Sequence, residues 1–164
     1  ALVSQPVESV IRAVRGFGLE LFDVTAAPIP EDGSHDESDD RWYLPLEWLD
    51  AMGQRVGEPP DVGGWPHNDP WLDTTRAAGR LAAALSFAEH ATASDSATVH
   101  AVRVARRAGP DAVVAEIFAA YGVTEWSNET AAAMRTALHA TGDPFDSLAA
   151  TIAVAFTSPE VVLS

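Results

Sequence analysis

Apolar positions along this chain recur at the three- and four-residue spacings of a helix rather than at the alternate positions of a strand. Val7, Val10, Ile11, Val14 and Phe17 form a first stripe. Gln5 stands at its N-cap, Pro6 at the first helical position and Glu8 where a variant capping box needs it, and Gly16 and Gly18 end it. A short helix opens at Pro45 with Leu46, Leu49 and Met52 inward and stops at Gly53. A longer one, capped by Asp73 or Thr74, carries Ala77, Ala78, Leu81, Leu85 and Ala88 on one face. Four more follow at short intervals. One runs from about Ser96 to Arg107, and the next starts at Pro110 with Val113, Val114, Ile117, Phe118 and Tyr121 inward. Ser127 caps a helix burying Ala131, Met134 and Leu138, and Asp143-Pro144 opens one burying Phe145, Leu148, Ala149, Ile152 and Phe156. Only the short stretch from Leu19 to Val24 has a strand-like pattern. The expected fold class is all-α, with about seven short to medium helices in an irregular bundle.

Two segments interrupt that pattern. Pro28 to Arg41 holds six acids (Glu31, Asp32, Asp36, Glu37, Asp39, Asp40) against one Arg, a self-repelling run expected to form a solvated acidic loop. Its acids lack the alternating spacing, the central Gly and the closing Glu of an EF-hand. Glu58 to Trp71, rich in Pro and Gly, reads as a rigid loop. Residues 1–164 are thus expected to form a single helical domain, with 28–41 as an acidic insertion. The chain starts at Ala1 and runs almost at once into a helix, which suggests that the protein continues upstream.

Composition narrows the function classes. A formal charge of −14 lacks the positive footprint that phosphate backbones require, so nucleic acid is not an expected partner. The same charge disfavours anionic membrane surfaces, and no apolar run approaches the roughly 20 residues of a membrane span. All ten basic residues are Arg, and cysteine is absent, which removes disulfides and thiolate metal sites.

The stretch Met52-Gly53-Gln54-Arg55-Val56-Gly57-Glu58-Pro59-Pro60-Asp61-Val62-Gly63-Gly64-Trp65-Pro66, followed by Trp71 and a helix containing Arg80, is the most distinctive in the chain. It resembles the L-G-Q-x-L-x-x-P-P-N-V-x-G-W-P … W signature of the bacterial domain of unknown function 1800 family. Gln5-Pro6-Val7-Glu8 with Arg12 to Gly18 is similar to that family's S-P-V-E-x-V-x-x-x-x-R-x-L-G helix, and Ala149 to Glu160 to its terminal L-A-S-P-E-F-Q. Gln5, Asp61 and Val161-Val162 depart from the usual Ser, Asn and Phe-Gln. The resemblance implies that this chain is the C-terminal portion of a longer protein. It also implies that a Trp-His-Asn-His-Phe-like segment, the family's best candidate for chemistry, lies upstream. It implies export or association with the cell envelope and, as partners, the upstream part of the same polypeptide and a sulfatase-like protein.

Within the chain, the loop from Glu58 to Trp71 is the strongest candidate site. Pro59-Pro60 stiffens it, and Gly63-Gly64 permits unusual backbone angles. Trp65 and Trp71 supply apolar anchors, and Asp61, His67, Asn68 and Asp69 supply polar groups for a ligand or partner. The competing reading is a plug, with both tryptophans packed into the core. Arg103, Arg106 and Arg107 share a helix face and are candidates for holding an anion, although last-turn arginines also complement a helix dipole. No metal site is expected: His67 and Asp69 have no third ligand nearby, and His90, His100 and His139 stand on separate helices without helical-pair spacing. There is no G-x-S-x-G elbow, and Ser158 before Pro159 reads as a helix cap. No catalytic residue and no cofactor follow from these residues. The expected function is a helical scaffold or interaction domain of an envelope-associated protein. The alternative is the closing part of an envelope enzyme, such as a metal-dependent hydrolase, with its catalytic residues upstream.

Overall fold

The computed structural model describes residues 3–19, 44–60, 64–65, 71 and 73–163. The acidic segment 28–41 and most of the strand-like stretch from Leu19 to Val24 lie outside them. All regular structure among the described residues is helical: α1 (Pro6–Gly16), α2 (Leu44–Ala51), α3 (Thr74–Ala93), α4 (Ala97–Ala105), α5 (Pro110–Ala120), α6 (Asn128–Leu138), α7 (Pro144–Phe156) and α8 (Pro159–Val162). Among the described residues the fold is an all-α bundle of eight helices, one more than the stripes predict. The extra one is the single turn α8, too short to show a periodicity of its own.

Helix starts follow the local chemistry. Asp73 accepts from the Arg76 backbone N–H at 2.8 Å. Ser96 accepts from Val99, and Ser127 from Thr130. Asp143 takes the N–H groups of both Phe145 and Asp146. Each carboxylate or hydroxyl thereby satisfies a donor that has no partner inside its own helix. Prolines occupy the first turn of α1, α5, α7 and α8, where a missing N–H costs nothing. Ser158 holds the N-cap position of α8, but its hydroxyl is buried without a hydrogen-bond partner among the described residues, so it caps by backbone geometry alone.

Helices α3 and α7 share the largest interface and form the centre of the bundle. Phe87 of α3 is the hub of its aromatic core. It meets Trp48 edge-on with ring centroids 5.6 Å apart, Phe17 edge-on at 5.5 Å and Phe156 at 5.7 Å. Trp48 keeps its indole N–H satisfied at the Ser86 hydroxyl, 2.9 Å away.

Several helices face the core differently from their predicted stripes. In α3 the buried residues are Arg80, Ala83, Ala84, Phe87, Ala88, Ala91 and Thr92. Of the predicted face only Ala88 is inside: Ala77 and Ala78 are exposed, and Leu81 and Leu85 are 50% and 48% exposed. The reason is steric. Helix α3 is gripped by α2 and α7 together, and small residues let both approach. Gly79 lies so close to α2 that a Cβ there would overlap the Ala51 carbonyl oxygen. Leucines on that side would hold the helices apart. Elsewhere, Leu46 is exposed because Trp48 takes the inward position of α2. Ile11 lies on the outer edge of α1, and Phe145, in the first turn of α7, points to solvent. The stripes of α5 and α6 are buried as their spacing predicts. Tyr121, just after α5, is buried too, and burial pushes its phenol pKa up.

Candidate functional site

A second, smaller apolar cluster stands apart from the main core, built from Val3, Trp71 and Val162 with the half-buried Trp65 against it. Both ends of the described chain meet there, since the Ser4 N–H donates to the Val162 carbonyl at 2.8 Å. The Arg12 guanidinium adds a bond to the Val161 carbonyl at 3.2 Å. The two tryptophan rings lie 6.2 Å apart, tilted by 38°. The Arg76 guanidinium carbon sits 5.0 Å from the Trp71 ring centroid, a cation–π arrangement. Asp73 steadies it through an ion pair to Arg76, and the Arg76 backbone N–H holds the Asp73 carboxyl below the ordinary carboxylate range. Trp71 is therefore an anchor clamped between the Arg76 cation and its apolar neighbours Val3, Trp65 and Val162.

One turn past Arg76, Arg80 points inward and is only 6% exposed. Its guanidinium donates to the Ser9 hydroxyl at 3.0 Å and to the Ser4 carbonyl at 3.4 Å, both neutral acceptors. Among the described residues no carboxylate lies within ion-pair distance of it. Burial lowers its pKa, yet a guanidinium stays charged at neutral pH. It lines a cavity of about 390 Å³ whose other walls include Trp71, Ala77, Leu81, Thr157 and Val162. The Thr157 hydroxyl is turned back onto the carbonyls of Ala153 and Val154, so among the described residues Arg80 is the only charged wall.

The structure brings Trp65 and Trp71 together, and Trp71 is a buried plug at one wall of this cavity. Asp61, His67, Asn68 and Asp69 lie outside the described residues. The arginines Arg103, Arg106 and Arg107 are elsewhere, at the end of α4. Arg103 donates to the Thr92 carbonyl at 2.6 Å, closing an open acceptor in the last turn of α3. Arg106 donates to the Pro144 carbonyl, also at 2.6 Å, and ties α4 to the start of α7. Two of the three thus serve as helix-to-helix ties. His90 stands edge-on to Trp48, whereas His100 and His139 are exposed on α4 and at the end of α6. No group of three His, Asp or Glu side chains among the described residues is placed to hold a metal ion.

Arg80 as a site residue escapes a reading of the sequence that follows apolar positions only. Its signal is a charge three and four places before Ala83 and Ala84 and seven before Phe87, on the face that is buried. The terminal Ser-Pro-Glu motif also gains a reason. Glu160 accepts from the Ser127 N–H at 2.8 Å and from the Thr130 hydroxyl at 3.0 Å, placing a carboxylate at the N-terminus of α6.

No curated protein and no solved structure matches the chain. A family model does: the one described as protein of unknown function (DUF1800) matches residues 1–163, and the chain belongs to that family.

Proposed function

We propose that this chain works as a helical interaction domain that seats another protein surface against the outer face of α3. One observation carries the reading: α3 turns Leu81 and Leu85, one helical turn apart, into solvent while its small residues face the core. Leu85 also borders a groove of about 540 Å³ with Phe145, Ala149 and His90, and Phe145 is itself exposed. Large side chains clustered in the open on an otherwise acidic, well-capped bundle fit a surface meant to be covered. The partner we favour is the upstream part of the same polypeptide, in a protein of the cell envelope. The absence of three gathered metal ligands among the described residues is compatible with this reading and with chemistry located elsewhere.

The test is association between this domain and the upstream segment, produced separately and measured by calorimetry. Leu85→Asp and Phe145→Asp, both at exposed positions, are expected to weaken association at least tenfold while the helical circular-dichroism spectrum is unchanged. Undiminished affinity in both variants would overturn the proposal.

A further inference from the structure

We propose that the cavity beside Trp71 binds an organic monocarboxylate with an apolar body, with Arg80 as its counter-charge. The inference goes beyond the interaction role and does not depend on it. It starts from the state of Arg80, a guanidinium almost wholly removed from water and, among the described residues, bonded only to a hydroxyl and a carbonyl. A buried charge is tolerated when it is paired, and removal from water without a pair is costly. Two neutral acceptors leave most of its five N–H donors unmatched, and the planar fork they form fits a carboxylate in bidentate fashion.

The walls decide what the acid carries. Among the described residues, apart from Arg80, they are Trp71, Ala77, Leu81, Val162 and Leu163 together with Pro159 and a Thr157 whose hydroxyl is already used. An apolar tail finds apolar contacts there, whereas a sugar or a polyol finds, among the described residues, only the Arg80 fork and few further polar partners. The single cation among the described walls also sets the ligand's charge. A phosphate monoester carries up to two negative charges, and a chain of formal charge −14 adds long-range repulsion to any polyanion. At about 390 Å³ the cavity is at the small end of ligand pockets, the size for a medium-chain acid or the last residue of a peptide. Both sources present the same chemistry: a carboxylate at the end of an apolar group.

Octanoate, 1-octanol, the peptide acetyl-Ala-Ala-Leu and its C-terminal amide are titrated into the protein by calorimetry, with Trp fluorescence as a second readout. Octanoate is expected to bind at least tenfold tighter than octanol, which identifies a free acid as the ligand. If the peptide acid binds tighter than octanoate and its amide does not, the site is the same and a chain terminus is its occupant. Arg80→Met is expected to reduce acid binding at least tenfold and to leave octanol unaffected. Should that variant fold poorly, Ala77→Trp, at an exposed helical position on the cavity wall, fills the space with Arg80 intact and is expected to abolish binding. Equal affinity for acid and alcohol, acid binding that survives Ala77→Trp, or no binding by either acid overturns the proposal. Leu85→Asp is expected to leave octanoate binding unchanged, so failure here and failure of the interaction role are read separately.

Discussion

The Arg80 guanidinium of α3 donates to the Ser9 hydroxyl of α1 at 3.0 Å, and both residues are buried. The contact joins a cation to a neutral group, and its energetics differ from those of a buried ion pair. Arg80→Met removes two hydrogen bonds worth about 1 kcal/mol each but also relieves a desolvated charge that costs several kcal/mol. The variant is expected to be as stable as the parent or more so in urea denaturation. A loss above about 2 kcal/mol would make Arg80 a structural residue.

Gly79→Ala tests the close approach of α2 and α3. The added methyl meets the Ala51 carbonyl oxygen, which belongs to backbone and cannot swing aside. A loss of about 3 kcal/mol is expected from such overpacking. Gly142→Ala, where a Cβ meets nothing within 4 Å, is the control and is expected to be neutral or to gain up to about 1 kcal/mol.

The two tryptophans separate by burial. Trp71 is 2% exposed, so Trp71→Ala is expected to cost about 3–5 kcal/mol, the range for large core aromatics. Trp65, half-buried on the rim of the same cluster, is expected to cost about 1–2 kcal/mol by its smaller buried area. Equal losses in paired thermal melts would place Trp65 in the core as well.

Acid should detach the last helix first. Burial pushes the Glu160 pKa up, but the bonds from Ser127 and Thr130 outweigh it and leave the carboxyl below its ordinary value. Since the folded value is the lower one, the stabilisation is complete above the unfolded pKa of about 4.3 and drains away as pH falls through the folded value. Glu160→Gln is expected to cost about 1 kcal/mol near pH 7, modest because the side chain is partly solvated, and the gap to the parent should close toward pH 3. A gap independent of pH would exclude the carboxylate's charge as its source.

Helix existence was legible from spacing and caps, as α5 and α6 illustrate, because each carries a single unbroken stripe that lies wholly on its buried face. Which face of α3 turns inward was not. Its leucines make the more apolar stripe, but α2 and α7 contact it on two sides, and the alanines and Gly79 let them come close. Helical periodicity records hydrophobicity and not the room a neighbour needs. Trp71 as an anchor could be read from the Pro/Gly/Trp loop. Its union with Arg80 could not, because Ser4, Ser9 and Val162 reach that place from the two ends of the sequence.

The hydrogen bond from Ser4 to Val162 has a mechanical consequence. Force applied between Ser4 and Val162 would load this clasp before any helix pair in the bundle, so stretching should open the Trp71 cluster while the Phe87 core stays intact. A short peptide bridging the two ends would relieve the clasp of that load. The segment from Ser4 to Val162, produced alone, should therefore tolerate circular permutation, with new ends opened at the exposed turn around Gly142.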